Sequence, residues 1–267
     1  MKHQILKREG CPTHYWLTKS AGKPVVVFTH GVMMDHRIFD KQVAEFEQKY
    51  NILVWDVRGH GLSRPMEGKF SIRSAAEDLI AILDESGFEK AILVGHSMGG
   101  YISQEVVFSY PNRVAGLVMI GSTCLTWKQP WIFKLGNFVV PAFFRTCPDY
   151  FIRWLTKTAA GIKAETRRVA SEASKVISRK DRICFWTQIM KGFHYEPDYS
   201  INHPILLTHG EFDHMVGLGV INRFARAWSD REQNCRYTVI PKAGHNAHED
   251  NPAFFNEILE EFLQSYL

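Results

Sequence analysis

The stretch Ala91-Ile92-Leu93-Val94-Gly95-His96-Ser97-Met98-Gly99-Gly100 decides how the rest of the chain is read. Its first four residues are a short apolar run of the kind that forms a fully buried strand. The segment from Met98 to Tyr110, closed by Pro111, has the apolar spacing and the stop signal of a helix. Gly95 and Gly99 lie two positions to either side of Ser97. The chain can therefore bend sharply from strand to helix without side-chain collision, and the serine hydroxyl is carried away from the sheet. A helix beginning at Met98 adds backbone N–H groups and a positive dipole end, where developing negative charge is stabilised. A plainer reading stays open at this point: the two glycines make a tight turn and Ser97 caps the helix, a frequent serine role.

Outward from this turn, short apolar runs alternate with amphipathic stretches. Strands are predicted at 24–29, 50–55 and 114–120, and helices at 37–49 and at 71–86, where Gly87 is the stop. Residues 3–7 and 13–17, around Gly10 and Pro12, predict an antiparallel hairpin at the start. Such alternation implies βαβ crossovers and a mostly parallel sheet. It lapses from about residue 125 to 202, where no strand is predicted. That segment holds Trp127, Trp131, Phe133, Phe138, Phe143, Phe144 and Phe151, followed by a polar helical stretch at 164–178. Alternation then resumes with a strand at 204–209, a helix at 217–228, a strand at 236–240 and a final helix at 252–263. No linker divides the chain. The expectation is one α/β core, residues 1–124 and 203–267, interrupted by a helical insertion at 125–202.

Composition narrows the function classes. Of the 267 residues, 45% are hydrophobic, enough to fill a large core, and the net charge of +4 is scattered without the dense basic run that binds a phosphate backbone. No nucleic-acid partner is expected. Met1 to Arg8 lack the apolar region and cleavage site of a secretory signal, so a cytoplasmic location is expected. The five cysteines are widely spaced, with no C-x-x-C pair, and read as idle thiols rather than metal or redox groups. Residues 131–144 are apolar but short and broken by Lys134 and Asn137, so no stable membrane insertion is expected. With no glycine-rich phosphate or dinucleotide loop visible, neither cofactor nor metal is expected.

Five ordered segments together are more specific than any one: His30-Gly31, Asp56-Val57-Arg58-Gly59-His60-Gly61-Leu62-Ser63, Gly95 to Gly99, Gly210-Glu211-Phe212-Asp213 and Gly244-His245. Over nearly the whole chain the sequence resembles the α/β-hydrolase superfamily, in particular its small esterase, lipase, C–C hydrolase and perhydrolase group. The resemblance implies a mostly parallel eight-stranded sheet, helices on both faces and a helical lid at 125–202. It also implies Ser97 as nucleophile within the chain order serine, acid, histidine, which selects Asp213 as acid and His245 as base. Glu211 is the reserve acid and His248 the competing base. An acid after the sixth strand is ruled out, because Gly121-Ser122-Thr123-Cys124 carries no carboxylate. Backbone N–H groups of Val32 and Met98 are implied as the oxyanion hole, of the simple His-Gly type, since Val32-Met33-Met34 follows Gly31. His60 reads as an exposed loop histidine, and His209 and His214 as supporting or solvated residues.

The function expected is hydrolysis of a carboxylic ester through a Ser-His-Asp triad and an acyl-enzyme, with a lipophilic small molecule, an apolar acyl or aryl ester, as substrate under the aromatic lid. The same constellation also serves C–C bond hydrolysis of diketone-like ring-cleavage products, for which Arg145, Arg153 or Lys191 could supply polar lid groups. A slow-turnover ligand receptor is a third reading of the same fold. Haloalkane dehalogenase and epoxide hydrolase chemistry is disfavoured, because those relatives use an aspartate where this chain has Ser97.

Overall fold

The apolar runs become strands because a parallel sheet is covered on both faces, so that every position must be apolar or hydrogen-bonded. In the computed structural model, residues 1–129, 131–213 and 220–266 are described, without the side chains of 131–135, 137 and 220–223. The strands are β1 (Lys2–Arg8), β2 (Cys11–Leu17), β3 (Val25–Thr29), β4 (Asn51–Trp55), β5 (Ala91–His96), β6 (Val114–Ile120), β7 (Ile205–Gly210) and β8 (Cys235–Ile240). They form one eight-stranded sheet in the order β1-β2-β4-β3-β5-β6-β7-β8. β1 and β2 make the antiparallel hairpin and β2 joins β4 antiparallel; β4, β3, β5, β6, β7 and β8 run parallel. Every residue of β3, β4, β5 and β7 is buried.

The helices are α1 (Asp40–Phe46), α2 (Ile72–Ser86), α3 (Met98–Ser109), α4 (Trp131–Thr146), α5 (Asp149–Ala160), α6 (Ala164–Ser174), α7 (Arg179–Gly192), α8 (Val220–Arg231), α9 (Ala247–Asp250) and α10 (Pro252–Tyr266). Alternate strand residues face opposite cores, as the two-residue period of a strand requires. Val25, Val27, Leu53, Leu93 and Leu117 pack with Leu79 and Leu83 of α2, Ile102 of α3 and Trp228 of α8. Val26, Phe28, Ile52, Ile92 and Val118 pack on the other face with Phe46 of α1 and Phe255 and Leu259 of α10. Helices thus cover both faces of the sheet.

Helix boundaries follow local chemistry where it is strong. Ser71 accepts from the Ser74 N–H while Ser74 Oγ accepts from the Ser71 N–H, and Gly87, at φ 70°, ends α2 as its left-handed cap. Elsewhere the structure differs from the sequence reading. Residues 37–49 are not one helix: a 3-10 turn, His36–Phe39, capped by Asp35, leads into the shorter α1. The polar stretch at 164–178 ends as helix at Ser174. Positions 217–219 of the predicted helix lie outside the described residues. Between β6 and β7 come α4 to α7 with no strand among the described residues, α4 packing on α7 and α5 on α6. α4 runs through Pro141, and no helix among the described residues is long and apolar enough to cross a membrane.

Candidate active site

Parallel strands bring their carboxyl ends to one edge of the sheet, where β3, β5, β6, β7 and β8 lead into His30, Ser97, Gly121, Glu211 and Pro241. Ser97 lies between β5 and α3 at φ 51°, ψ −114°, a strained combination for a residue with a side chain. Its side chain makes no capping hydrogen bond. The N-cap reading therefore fails, and what remains is a serine held in a costly conformation at a strand-to-helix turn. The flanking glycines are required by space: a Cβ on Gly95 would stand 2.5 Å from the Gly99 carbonyl oxygen, and one on Gly99 would collide with the Thr29 carbonyl.

Two neighbouring loops carry the acid and the imidazole. Phe212 N–H donates to the Ala243 carbonyl at 2.8 Å, stitching the loop after β7 to the loop after β8. Across that stitch His245 Nδ1–H donates to Asp213 Oδ2 at 2.9 Å, with both residues buried. The pair reaches the serine turn through β6: Ser97 N–H donates to the Ile120 carbonyl at 2.8 Å, and the next residue, Gly121, lies directly against the pair. A Cβ on Gly121 would stand 3.0 Å from both Asp213 Oδ2 and His245 Nδ1. His96, beside Ser97, donates from Nε2 to the His245 carbonyl at 3.2 Å and packs edge-on against its ring. Among the described residues no hydrogen bond joins Ser97 Oγ to His245. Catalytic hydrogen bonds in ligand-free enzymes are commonly long and tighten only with substrate.

The N–H of Met98 is the first of α3, and neither it nor the N–H of Val32 meets a protein acceptor among the described residues. Both belong to loops at the serine turn, where a Cβ on Gly31 would lie 3.3 Å from the Ser97 Cβ. Glu211 stays apart from the imidazole: it is exposed and accepts from the Lys242 N–H at 2.9 Å. His248 also stays apart, buried in α9 and stacked on Phe39 at 4.7 Å, where burial pushes its imidazole down to about 3. His209 is buried rather than solvated and bonds the Tyr237 hydroxyl at 2.5 Å. His214 lies outside the described residues.

His60 corrects the sequence reading. It is fully buried and stacked on Phe185 of α7 at 4.2 Å, because a helix of the insertion covers its loop; burial, reinforced by the nearby His30, pushes its imidazole down to about 3. The loop itself is a set of struts. Arg58 forks onto Asp78 at 2.6 and 2.7 Å, and Asp56 accepts from the Leu62 N–H and the His36 ring. Asp35, His36 and Asp56 could together approach a metal ion, and their hydrogen bonds already account for them as helix cap and loop brace.

The sequence reading missed Asp250. Its buried carboxylate accepts from Gly244 N–H and Ile162 N–H, both at 2.8 Å, and from Lys163 N–H at 3.0 Å. One side chain thus ties the residue before His245 to the junction of α5 and α6. A cavity of about 540 Å³ opens between the insertion and the core, lined by Val32, Phe212 and Gly244 on the core side and by Phe143, Leu155 and Trp186, among others, on the insertion side. Ser97 and His245 themselves do not line it; Gly244, which precedes His245, and Phe212, which precedes Asp213, do. Of the aromatic residues expected overhead, Phe143 and Phe144 line this cavity, Phe138 is 77% exposed, and Trp127 packs instead beside Phe224 and Arg231. The side chains of Trp131 and Phe133 lie outside the described residues. Arg145, Arg153 and Lys191 are absent from the lining, whereas Arg167 and Arg182 belong to it.

Comparisons with known proteins agree in kind. Residues 20–252 match the family model described as serine aminopeptidase, S33. Epoxide hydrolase 4 of Homo sapiens is 30% identical over 291 residues, covering 97% of this chain and 77% of that protein. The uncharacterized hydrolase YugF of Bacillus subtilis is 25% identical, covering 96% of each chain. Among solved structures, a thermophilic esterase from Thermogutta terrifontis superposes with a TM-score of 0.83 at 19% identity, covering 100% of this chain and 99% of that one.

Proposed function

Because the chain belongs to the serine aminopeptidase, S33, family and is a hydrolase of the α/β-hydrolase superfamily, we propose that it cleaves carboxylic esters of lipophilic small molecules with Ser97 as nucleophile. The observation that carries this reading is the buried His245–Asp213 hydrogen bond of 2.9 Å, set against Gly121 beside the strained Ser97 turn. A serine hydroxyl is a weak nucleophile at neutral pH and needs such an oriented base. With Nδ1 committed to Asp213, Nε2 is the ring nitrogen that takes the Ser97 proton as Oγ bonds the acyl carbon. The carbonyl oxygen then carries negative charge, received by the N–H groups of Val32 and Met98. His245 returns the proton to the leaving alkoxide, which departs as the alcohol. Water, deprotonated in turn by His245, adds to the acyl-enzyme; the carboxylic acid leaves and Ser97 regains its proton.

Residues 125–202 serve in this reading as the lid, and the apolar cavity beneath them, within the size range of small-molecule sites, supports a lipophilic substrate. Epoxide opening in this superfamily starts from an aspartate nucleophile; the serine at 97 favours acyl transfer instead. The test is labelling with a fluorophosphonate probe and mass mapping of the adduct, followed by ester turnover in a Ser97→Ala variant. The label is expected on Ser97, with kcat reduced about 10³-fold or more in a folded variant. An adduct elsewhere, or near-normal hydrolysis by folded Ser97→Ala, refutes the assignment.

A further inference from the structure

Charged residues in the cavity lining are of one sign. Arg167 and Arg182 line it, and among the described residues no aspartate or glutamate does. Arg182 is 2% exposed, and among the described residues its side chain makes one hydrogen bond, from Nη2 to Asp149 Oδ1 at 2.8 Å, while its Nε is buried without an acceptor. Asp149 compensates it only in part, since that carboxylate is 45% exposed and also receives Arg179 at 3.0 Å. One helical turn further along α7, on the same face, Trp186 lines the same cavity, and its indole Nε1 is likewise buried without an acceptor. Buried donors are almost always satisfied, so two N–H groups without acceptors, on adjacent turns of a helix whose Arg182 and Trp186 line the cavity, leave unused donor capacity at its wall that a small side-chain shift would offer to a ligand. A purely structural Arg182, bracing α7 against Asp149, accounts for Nη2 and leaves Nε and the indole unexplained.

Resting on the ester-hydrolase reading, we propose that the α7 wall of the cavity is a binding subsite for a carboxylate on the substrate, received by Arg182 and Trp186. The substrate class that fits is a half-ester of a dicarboxylic acid, its apolar spacer lying against Val140, Phe143, Ile152 and Leu155. A carboxylate offers two oxygens with several lone pairs, enough for a guanidinium and an indole together, and hydrogen bonds from a cation to a carboxylate are the strong ones. Arg167, whose Nε is held by the Gly161 carbonyl at 2.7 Å, adds positive charge to the same wall space.

The test separates binding from turnover. Monophenyl suberate and phenyl octanoate, equal in chain length and differing in the terminal carboxylate, are titrated calorimetrically into the full-length Ser97→Ala protein. The suberate half-ester is expected to bind about 10- to 100-fold more tightly. Adding Arg182→Met or Trp186→Phe collapses that ratio, whereas Arg179→Met, which touches Asp149 but does not line the cavity, keeps it. Equal affinities for the two esters overturn the subsite. So does an equal loss of preference in the Arg179→Met protein, which would trace the effect to Asp149 and lid packing. Wild-type turnover of both esters without preference removes the subsite and leaves the ester-hydrolase reading intact. Preferential binding with turnover of neither does the reverse.

Discussion

Gly121→Ala is the most informative single change outside the proposed triad, because its effect is set by the space around one added methyl group. Gly121 has φ 60°, in the left-handed region that costs a residue with a Cβ about 1–2 kcal/mol. The new methyl would also stand 3.0 Å from Asp213 Oδ2 and 3.0 Å from His245 Nδ1, the two atoms that form the 2.9 Å hydrogen bond. Ordinary carbon contacts begin near 3.4 Å, so acid and imidazole must each retreat by a few tenths of an ångström, or the loop must carry the methyl away. Misplacement of reacting groups by ~1 Å costs about 100-fold in rate, and a shift of this smaller size is expected to lower kcat about 10-fold. Stability should fall by about 1–2 kcal/mol from the backbone strain. Denaturant unfolding reads the second number, and steady-state hydrolysis with fluorophosphonate labelling rates reads the first. A Gly121→Ala protein with the expected stability loss but unchanged kcat and labelling rate would show that the Asp213–His245 contact does not govern the reaction.

Two further outcomes follow from buried carboxyl groups. Asp250→Asn replaces one acceptor oxygen of the three-way strut with an N–H donor that faces a donor, so stability is expected to drop by about 1–3 kcal/mol, with a several-fold fall in kcat through the Gly244 loop; unfolding curves and kinetics check this, and unchanged values would remove the strut. Burial pushes the Glu249 carboxyl up to about 8 from the ordinary 4.5. The folded protein therefore keeps a proton that the unfolded chain loses, so this group's contribution is fully present below about 4.5 and is lost as pH rises to about 8. Glu249→Gln cannot ionise. Its stability relative to wild type should climb between pH 5 and 8 by about 1.4 kcal/mol per unit at most, then level, while the buried histidines cancel in the difference. A pH-independent difference in unfolding free energy over that range contradicts the shifted carboxyl.

Much of the scaffold was legible because its causes are local. Strands covered on both faces must be apolar throughout, which is why β3, β5 and β6 stand out as continuous runs, and the serine turn announces itself because only glycine fits beside the Gly99 and Thr29 carbonyls. The pairing of Asp213 with His245 was foreseeable only from a resemblance, since nothing within either segment says that the loops after β7 and β8 are stitched together. Where a residue's surroundings arrive from a distant part of the chain, local reading went astray. His60 looks like an exposed loop histidine until Phe185 of α7 closes over it, and Asp250 carries no signal in the sequence until two segments deliver three N–H groups to it.

The insertion shows this most sharply, because a helix's pattern gives the relative phase of its side chains but not which phase faces the core. Pattern alone therefore does not separate Arg145, Arg153 and Lys191, the polar lid groups read from the sequence, from Arg182, which it passes over; the packing of α4 on α7 and α5 on α6 does. That packing turns the face bearing Arg182 and Trp186 toward the cavity and leaves Tyr150 and Trp154 of α5 exposed. The core's geometry need not change for the substrate to change: the strained serine turn and the buried acid–imidazole pair answer to sheet topology, whereas the groups that would select a substrate answer to helix phase in the insertion. Specificity in this chain should accordingly yield to substitutions on α7 that leave the Ser97 turn untouched.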